Sequence, residues 1–182
     1  MKHLLVLLGA LAAQPALAGD TVPSLAAGGS DWGGFHAGVQ VGHMTNALDY
    51  RGRTFQSGST ETWGLHAGYT HDFGPHVLGA EADVNRFRGG NADLIRIKGK
   101  AGVDLGRYQP YLVIGAARLS GDGVTEAAPM FGVGGDWKVT DRFTVGIEYT
   151  YHEFEDVLED ETGFSGYDLE LELVNARASW RF

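Results

Sequence analysis

The sequence predicts an all-β fold, an eight-stranded antiparallel up-and-down transmembrane β-barrel preceded by an N-terminal signal peptide. Three observations carry this expectation: an export address at the N-terminus, a series of segments about ten residues long in which apolar and polar residues alternate, and glycines that fall inside those segments rather than between them.

The export address is read first. Lys2 and His3 precede an apolar run from Leu4 to Ala13, and Ala16-Leu17-Ala18 supplies small residues at a cleavage site. Residues 1–18 are therefore expected to be a signal peptide, 19–31 a periplasmic N-terminal segment and 32–182 the barrel. The apolar run falls short of the ~20 residues that a membrane-spanning helix needs. After Ala18, charged residues or glycine interrupt every candidate helical span.

Composition narrows the function classes. Cysteine is absent, which excludes disulfides and thiolate metal sites despite the export address. A net charge of -9 leaves no basic face to neutralise phosphates, so nucleic acid is not an expected partner. The acid gathers at Glu153, Glu155, Asp156, Glu159, Asp160 and Glu161, then at Asp168, Glu170 and Glu172.

Eight segments follow the two-residue period of a strand with one wet and one greasy face. Residues 33–43 turn Phe35, Ala37, Val39 and Val41 outward and His36, Gly38, Gln40 and Gly42 inward. Residues 62–71 point Trp63, Leu65, Ala67 and Tyr69 outward. In 77–87, Leu78, Ala80, Ala82 and Val84 face lipid, with Glu81, Asp83 and Asn85 inside. In 93–105, Ile95, Ile97, Ala101 and Val103 face lipid, with Arg96, Lys98 and Lys100 inside. Residues 111–119 are apolar at both parities, so alternation does not set their faces. Residues 130–139 and 143–154 place Phe131, Val133, Trp137, Val145, Ile147, Tyr149 and Tyr151 outside, and Gly132, Asp136, Lys138, Glu148 and Thr150 inside. The last segment, 167–182, puts Val174, Ala176, Ala178, Trp180 and Phe182 on one face, but Leu169, Leu171 and Leu173 have the opposite parity. A bulge near Leu173, or projection of this strand beyond the membrane, would account for the change.

Glycine inside these segments fits the crowded inner wall of a narrow barrel. The alternative, a soluble β-sandwich or lipocalin-like barrel, would have to fit the large apolar side chains into a small interior. Connections 72–76, 106–110 and 140–142 are tight and read as periplasmic turns. Connections 44–61, 88–92, 120–127 and 155–166 read as external. Trp32, Phe73, Trp137, Phe143, Trp180 and Phe182 are expected in a periplasmic aromatic girdle, and Trp63, Phe87, Tyr149 and Tyr151 in an outer one.

Several stretches resemble a known superfamily. Ala176-Arg177-Ala178-Ser179-Trp180-Arg181-Phe182 looks like the terminal strand of bacterial outer-membrane barrels. Trp32-Gly33-Gly34-Phe35, Thr62-Trp63-Gly64-Leu65-His66-Ala67-Gly68-Tyr69 and Val77-Leu78-Gly79-Ala80-Glu81-Ala82-Asp83 resemble the OmpA/OmpX-like and opacity-type barrels. The resemblance implies a multi-pass barrel in the outer membrane of a Gram-negative cell, in contact with lipid and lipopolysaccharide. It also implies recognition of Trp180 and Phe182 by the barrel-assembly machinery.

The candidate site is the barrel interior. A turn about Gly89 and Gly90 sets Glu81 opposite Lys98 and Asp83 opposite Arg96. A turn centred on Phe73 and Gly74 brings His66 beside Glu81, and Glu148 approaches across the lumen. His66, Glu81, Asp83, Arg96, Lys98 and Glu148 are thus expected to form an interior ion-pair network. A general acid/base site or a gated proton or ion path is the alternative use of the same residues.

No catalytic, cofactor or metal residues are assigned. The histidines lack a metal-ligand spacing, and His43 and His152, near outer strand ends, lie in no serine motif and read as surface residues. The acidic loop from Glu153 to Glu161 offers oxygen ligands to divalent cations bridging to lipopolysaccharide, or is simply solvated. The expected function is a structural barrel that supports envelope integrity and presents surface loops. A lipid A-modifying enzyme, a narrow channel and an adhesin are the alternatives. Eight strands leave no general porin's channel.

Overall fold

The computed structural model describes residues 31–50, 53–89, 92–121, 124–154 and 167–182. The expected signal peptide, most of the segment after it and the acidic loop at 155–166 lie outside the described residues. Eight strands follow in chain order: β1 (Gly34–Tyr50), β2 (Arg53–Asp72), β3 (His76–Phe87), β4 (Asp93–Val103), β5 (Tyr108–Gly121), β6 (Val124–Lys138), β7 (Phe143–Phe154) and β8 (Tyr167–Arg181). Each pairs antiparallel with its sequence neighbour, and β8 closes on β1. Among the described residues, closure leaves no unpaired sheet edge from Thr62 of β2 inward, the condition for β-structure within lipid; the outer end of β2 pairs with β1 alone.

The alternation read from the sequence appears as two faces. Phe35, Val39, Trp63, Leu65, Ile97 and Ile147 are exposed on the outer wall, while His36, Gln40, Glu81, Asp83, Arg96, Lys98 and Glu148 are buried within. β5 now has its faces: Leu112 and Ile114 point outward, and Tyr111 and Val113 inward.

Two expected external loops are largely strand. β1 and β2 continue pairing up to Tyr50 and Arg53, and β5 and β6 up to Gly121 and Val124. The ladder needs only backbone groups, so it runs on through polar sequence once the hairpin is in register. These hairpins exceed the ~10 residues that cross the hydrocarbon layer.

The parity change in β8 is not the expected bulge. Pairing with β1 and with β7 passes through Leu173 without a slip, and Leu171 and Leu173 are 2% and 0% exposed. The face does not change; the lumen does. Its outer part is apolar, so leucine continues the inward row.

The short turns at the other end are closed by local side chains. Gly74 and Gly106 have φ of +91° and +79°, accessible to glycine without steric penalty. The Asp72 and Asp104 carboxylates accept their amide hydrogens at 2.7 and 2.6 Å. In the third turn Thr140 Oγ1 accepts the Phe143 amide at 3.0 Å.

Candidate functional site: a filled lumen in three layers

The central layer is built by β3, β4, β7 and β8. Glu81 lies directly opposite Lys98, and Asp83 opposite Arg96, as the Gly89 turn predicts. Arg96 Nε and Nη2 each donate to Asp83 at 2.8 Å, a bidentate pair, and Nη1 donates to Thr150 at 2.8 Å. Lys98 Nζ reaches three carboxylates, Glu81 and Asp83 at 2.7 Å and Glu148 at 2.6 Å. Oxygens of these three acids lie within 4.8 Å of one another, close enough to share a metal ion. The Lys98 ammonium occupies that shared position instead.

Arg177 completes the layer from β8, donating to Glu148 at 2.6 Å and to Glu81 at 2.5 Å. Three carboxylates thus face three cations, Arg96, Lys98 and Arg177, all with side chains at most 1% exposed. Buried charge on this scale is stable only when each group is paired and bonded. Lys100 adds a cation at the edge, 3.4 Å from Glu81 and 3.6 Å from Asp136, and its ammonium lies over the Tyr111 ring. The Tyr111 hydroxyl donates to Glu148 at 3.2 Å. Asn85 donates to Asp83 at 2.9 Å and accepts from Gln40 at 2.8 Å, which extends the network to β1.

His66 is not beside Glu81. It pairs with Asp83 in the ladder, and its Nε2 lies 2.7 Å from Ser179 Oγ. The turn is centred one residue later than expected, on Gly74 and Pro75, which moves the cross-strand partner by two positions and keeps the face. His36 takes the expected place, with Nε2 3.1 Å from Glu81. Sequence reading had assigned His36 an inward parity without joining it to the network. It also missed Arg177, whose inward parity between Ala176 and Ala178 was the available signal.

The outer layer is apolar. Met44, Phe87, Leu94, Ala117, Ala128, Met130, Leu171 and Leu173 pack together inside the barrel above the charges. Phe87 therefore belongs to this stopper and not to the outer girdle. His152, expected at the surface, is fully buried, with Nδ1 3.1 Å from the Leu171 carbonyl oxygen. Its inward parity on β7 outweighs its place near the strand end. His43 is exposed, as expected.

The inner mouth is closed by Trp32, which is 0% exposed and so is not a girdle residue. Its indole Nε1 donates to the Gly106 carbonyl at 3.0 Å, and its amide donates to Asp72 at 2.8 Å. Lys138 and Arg181 lie against its ring at 4.6 and 5.4 Å. Trp180 and Phe182 are exposed on the wall at this end, with Trp137.

A closed eight-stranded barrel with a greasy exterior and a plugged polar interior defines a small outer-membrane protein. The chain belongs to the outer membrane protein beta-barrel domain family, whose family model matches residues 4–182. Neisserial surface protein A (NspA) has a similar fold, with 16% identity and a TM-score of 0.54 over 81% of this chain and 97% of that one. The N-terminal barrel domain of Pseudomonas aeruginosa OprF is also similar, with 11% identity and a TM-score of 0.52 over 79% and 97%. A search of curated protein sequences gives no match. The protein is an outer-membrane β-barrel.

Proposed function

We propose that the protein is a sealed structural barrel, which anchors surface hairpins in the outer membrane and neither conducts nor catalyses. The apolar stopper over the neutralised charge layer carries this reading. An ion entering the lumen would have to cross the packed side chains of Leu94, Leu171 and Leu173, each at most 2% exposed, without hydration. It would then meet carboxylates already held by Lys98, Arg96 and Arg177.

The enzyme alternative draws little from the interior. His66 bonds Ser179, but His66 Nδ1 has no partner among the described residues, so no acid orients the ring as a general base. Both side chains are enclosed.

Conductance across planar bilayers tests the proposal. Folded protein, verified by its heat-dependent gel mobility, is expected to give no current above the bare membrane. Reproducible single-channel steps from that preparation would overturn it.

A second reading, attachment through the surface, rests on the β1–β2 and β5–β6 hairpins, whose ladders continue past the span the membrane requires. Shortening the β1–β2 hairpin between His43 and Glu61 should abolish any adhesion conferred on a non-adherent strain while leaving barrel assembly intact; adhesion unchanged by that shortening would remove this reading.

A further inference from the structure

The periplasmic mouth holds a cluster of cations outside the central charge layer. A cavity of about 520 Å³ opens there between two turns and the end of β8. Arg107, Lys138, Arg142 and Arg181 line it, together with Asp31 and Asp141. Backbone bonds hold the cations in two adjacent pairs. The Lys138 amide donates to the Arg107 carbonyl at 2.8 Å, and the Arg181 amide donates to the Arg142 carbonyl at 2.8 Å.

None of the four forms an ion pair within 4.0 Å among the described residues. Three of the acids at this end are engaged with backbone amides: Asp31 with Gly33 at 2.8 Å, Asp72 with Trp32 and Gly74, and one oxygen of Asp104 with Gly106. Among the described residues, Lys138 and Arg181 donate only to main-chain oxygens, Lys138 to Asp31 at 2.6 Å and Arg181 to Trp32 and Gly33. Both are 6% exposed, and Arg181 Nε is buried with no partner among the described residues. A buried guanidinium nitrogen without an acceptor, beside three further cations and a cavity, is an unfilled requirement for an oxyanion.

We propose that this mouth binds the phosphate of an anionic phospholipid head group from the periplasmic leaflet. The girdle fixes the source: Trp137, Trp180 and Phe182 are exposed on the wall at the same end, where aromatic side chains mark the head-group level. A diester phosphate offers non-bridging oxygens to guanidinium forks, and its glycerol fits a cavity of this size. The inference is independent of the sealed lumen, since a conducting barrel could hold the same lipid.

Native mass spectrometry of the detergent-refolded barrel tests it, with equimolar phosphatidylglycerol and phosphatidylcholine as probes. The wild type is expected to retain phosphatidylglycerol about tenfold over phosphatidylcholine, a preference of ~1.4 kcal/mol. The double variant R107Q/R142Q, changed only at exposed turn positions, should bind both lipids about equally. R86Q, at the opposite rim, should keep the wild-type preference. Equal retention by the wild type overturns the proposal on its own, whether or not the variants fold. So does an undiminished preference in R107Q/R142Q, or a loss in R86Q as large. Displacement of the lipid by equimolar inorganic phosphate would reassign the site to a free anion, and displacement by a muropeptide would reassign it to the cell wall; either result overturns the lipid assignment.

Discussion

Lys98 Nζ lies 2.6 Å from Glu148 Oε1, although β5 and β6 separate their strands in the barrel wall. The contact is a strut across the lumen. Because Lys98 also holds Glu81 and Asp83, one ammonium bridges three acids that would otherwise repel one another at close range.

Replacing Lys98 by Met should therefore be severe. Breaking a buried pair by removing one partner costs about 3–5 kcal/mol, most of it the penalty on the charge left behind. Urea unfolding in lipid vesicles is expected to show that loss, and the double variant K98M/E148Q should recover part of it. A K98M barrel as stable as wild type would show that Lys98 does not hold the three acids together.

Leucine at 173 is a test of the stopper. The side chain is fully buried in an apolar cluster, so Leu173→Ala removes contacts that the surrounding barrel cannot recover by collapse, at a cost of ~2–4 kcal/mol. Leu173→Asp should cost more, since the carboxylate would be enclosed with apolar neighbours. If L173D unfolds no more readily than L173A, the outer lumen is wetter than the packing indicates.

Two glycines separate the inner wall from the outer. A Cβ on Gly134 would sit 2.5–2.6 Å from atoms of the Tyr111 ring, which is fixed by Glu148 and Lys100. Gly134→Ala should thus destabilise by about 1–3 kcal/mol. A Cβ on Gly99, facing lipid, meets nothing closer than Ile114 at 3.8 Å. Gly99→Ala should be neutral or stabilise by up to ~1 kcal/mol. Parallel unfolding titrations of the pair decide the matter, and equal effects would contradict the assignment of faces.

Much of this arrangement was legible because the period of a strand is two: parity alone assigned the lipid face and put Glu81, Asp83, Arg96, Lys98 and Glu148 in one lumen. Parity does not fix height. An error of one residue in a turn centre moves every partner by two, which keeps the face and changes the neighbour, and His66 exchanged places with His36 in this way. Parity was also set aside where composition argued otherwise. Leu171 and Leu173 suggested a bulge or a projecting strand because the lumen was assumed polar throughout, and Phe87 and Trp32 were assigned to girdles because aromatics at strand ends usually sit there. Arg177 was obscured by the terminal-strand motif that contains it. Contacts across the lumen follow from closure of the barrel, which no single hairpin encodes.

Trp32 supplies the last prediction, at the inner mouth. Its ring is enclosed by Lys138 and Arg181, and its indole bonds the turn at Gly106. Trp32→Phe keeps most of the apolar area and a ring face for the cations but loses the indole donor, leaving the Gly106 carbonyl one bond short. A typical hydrogen bond contributes ~1 kcal/mol, and W32F should fall by about that amount. Trp32→Ala also exposes two buried cations to a void and should lose ~3–5 kcal/mol. The fluorescence of W32F identifies the residue independently. The other tryptophans, Trp63, Trp137 and Trp180, are about half exposed to the lipid side, so removing Trp32 should delete the component shielded from brominated-lipid quenching and leave the quenchable component intact. A shielded component that survives in W32F would mean that Trp32 is not the tryptophan enclosed in the mouth.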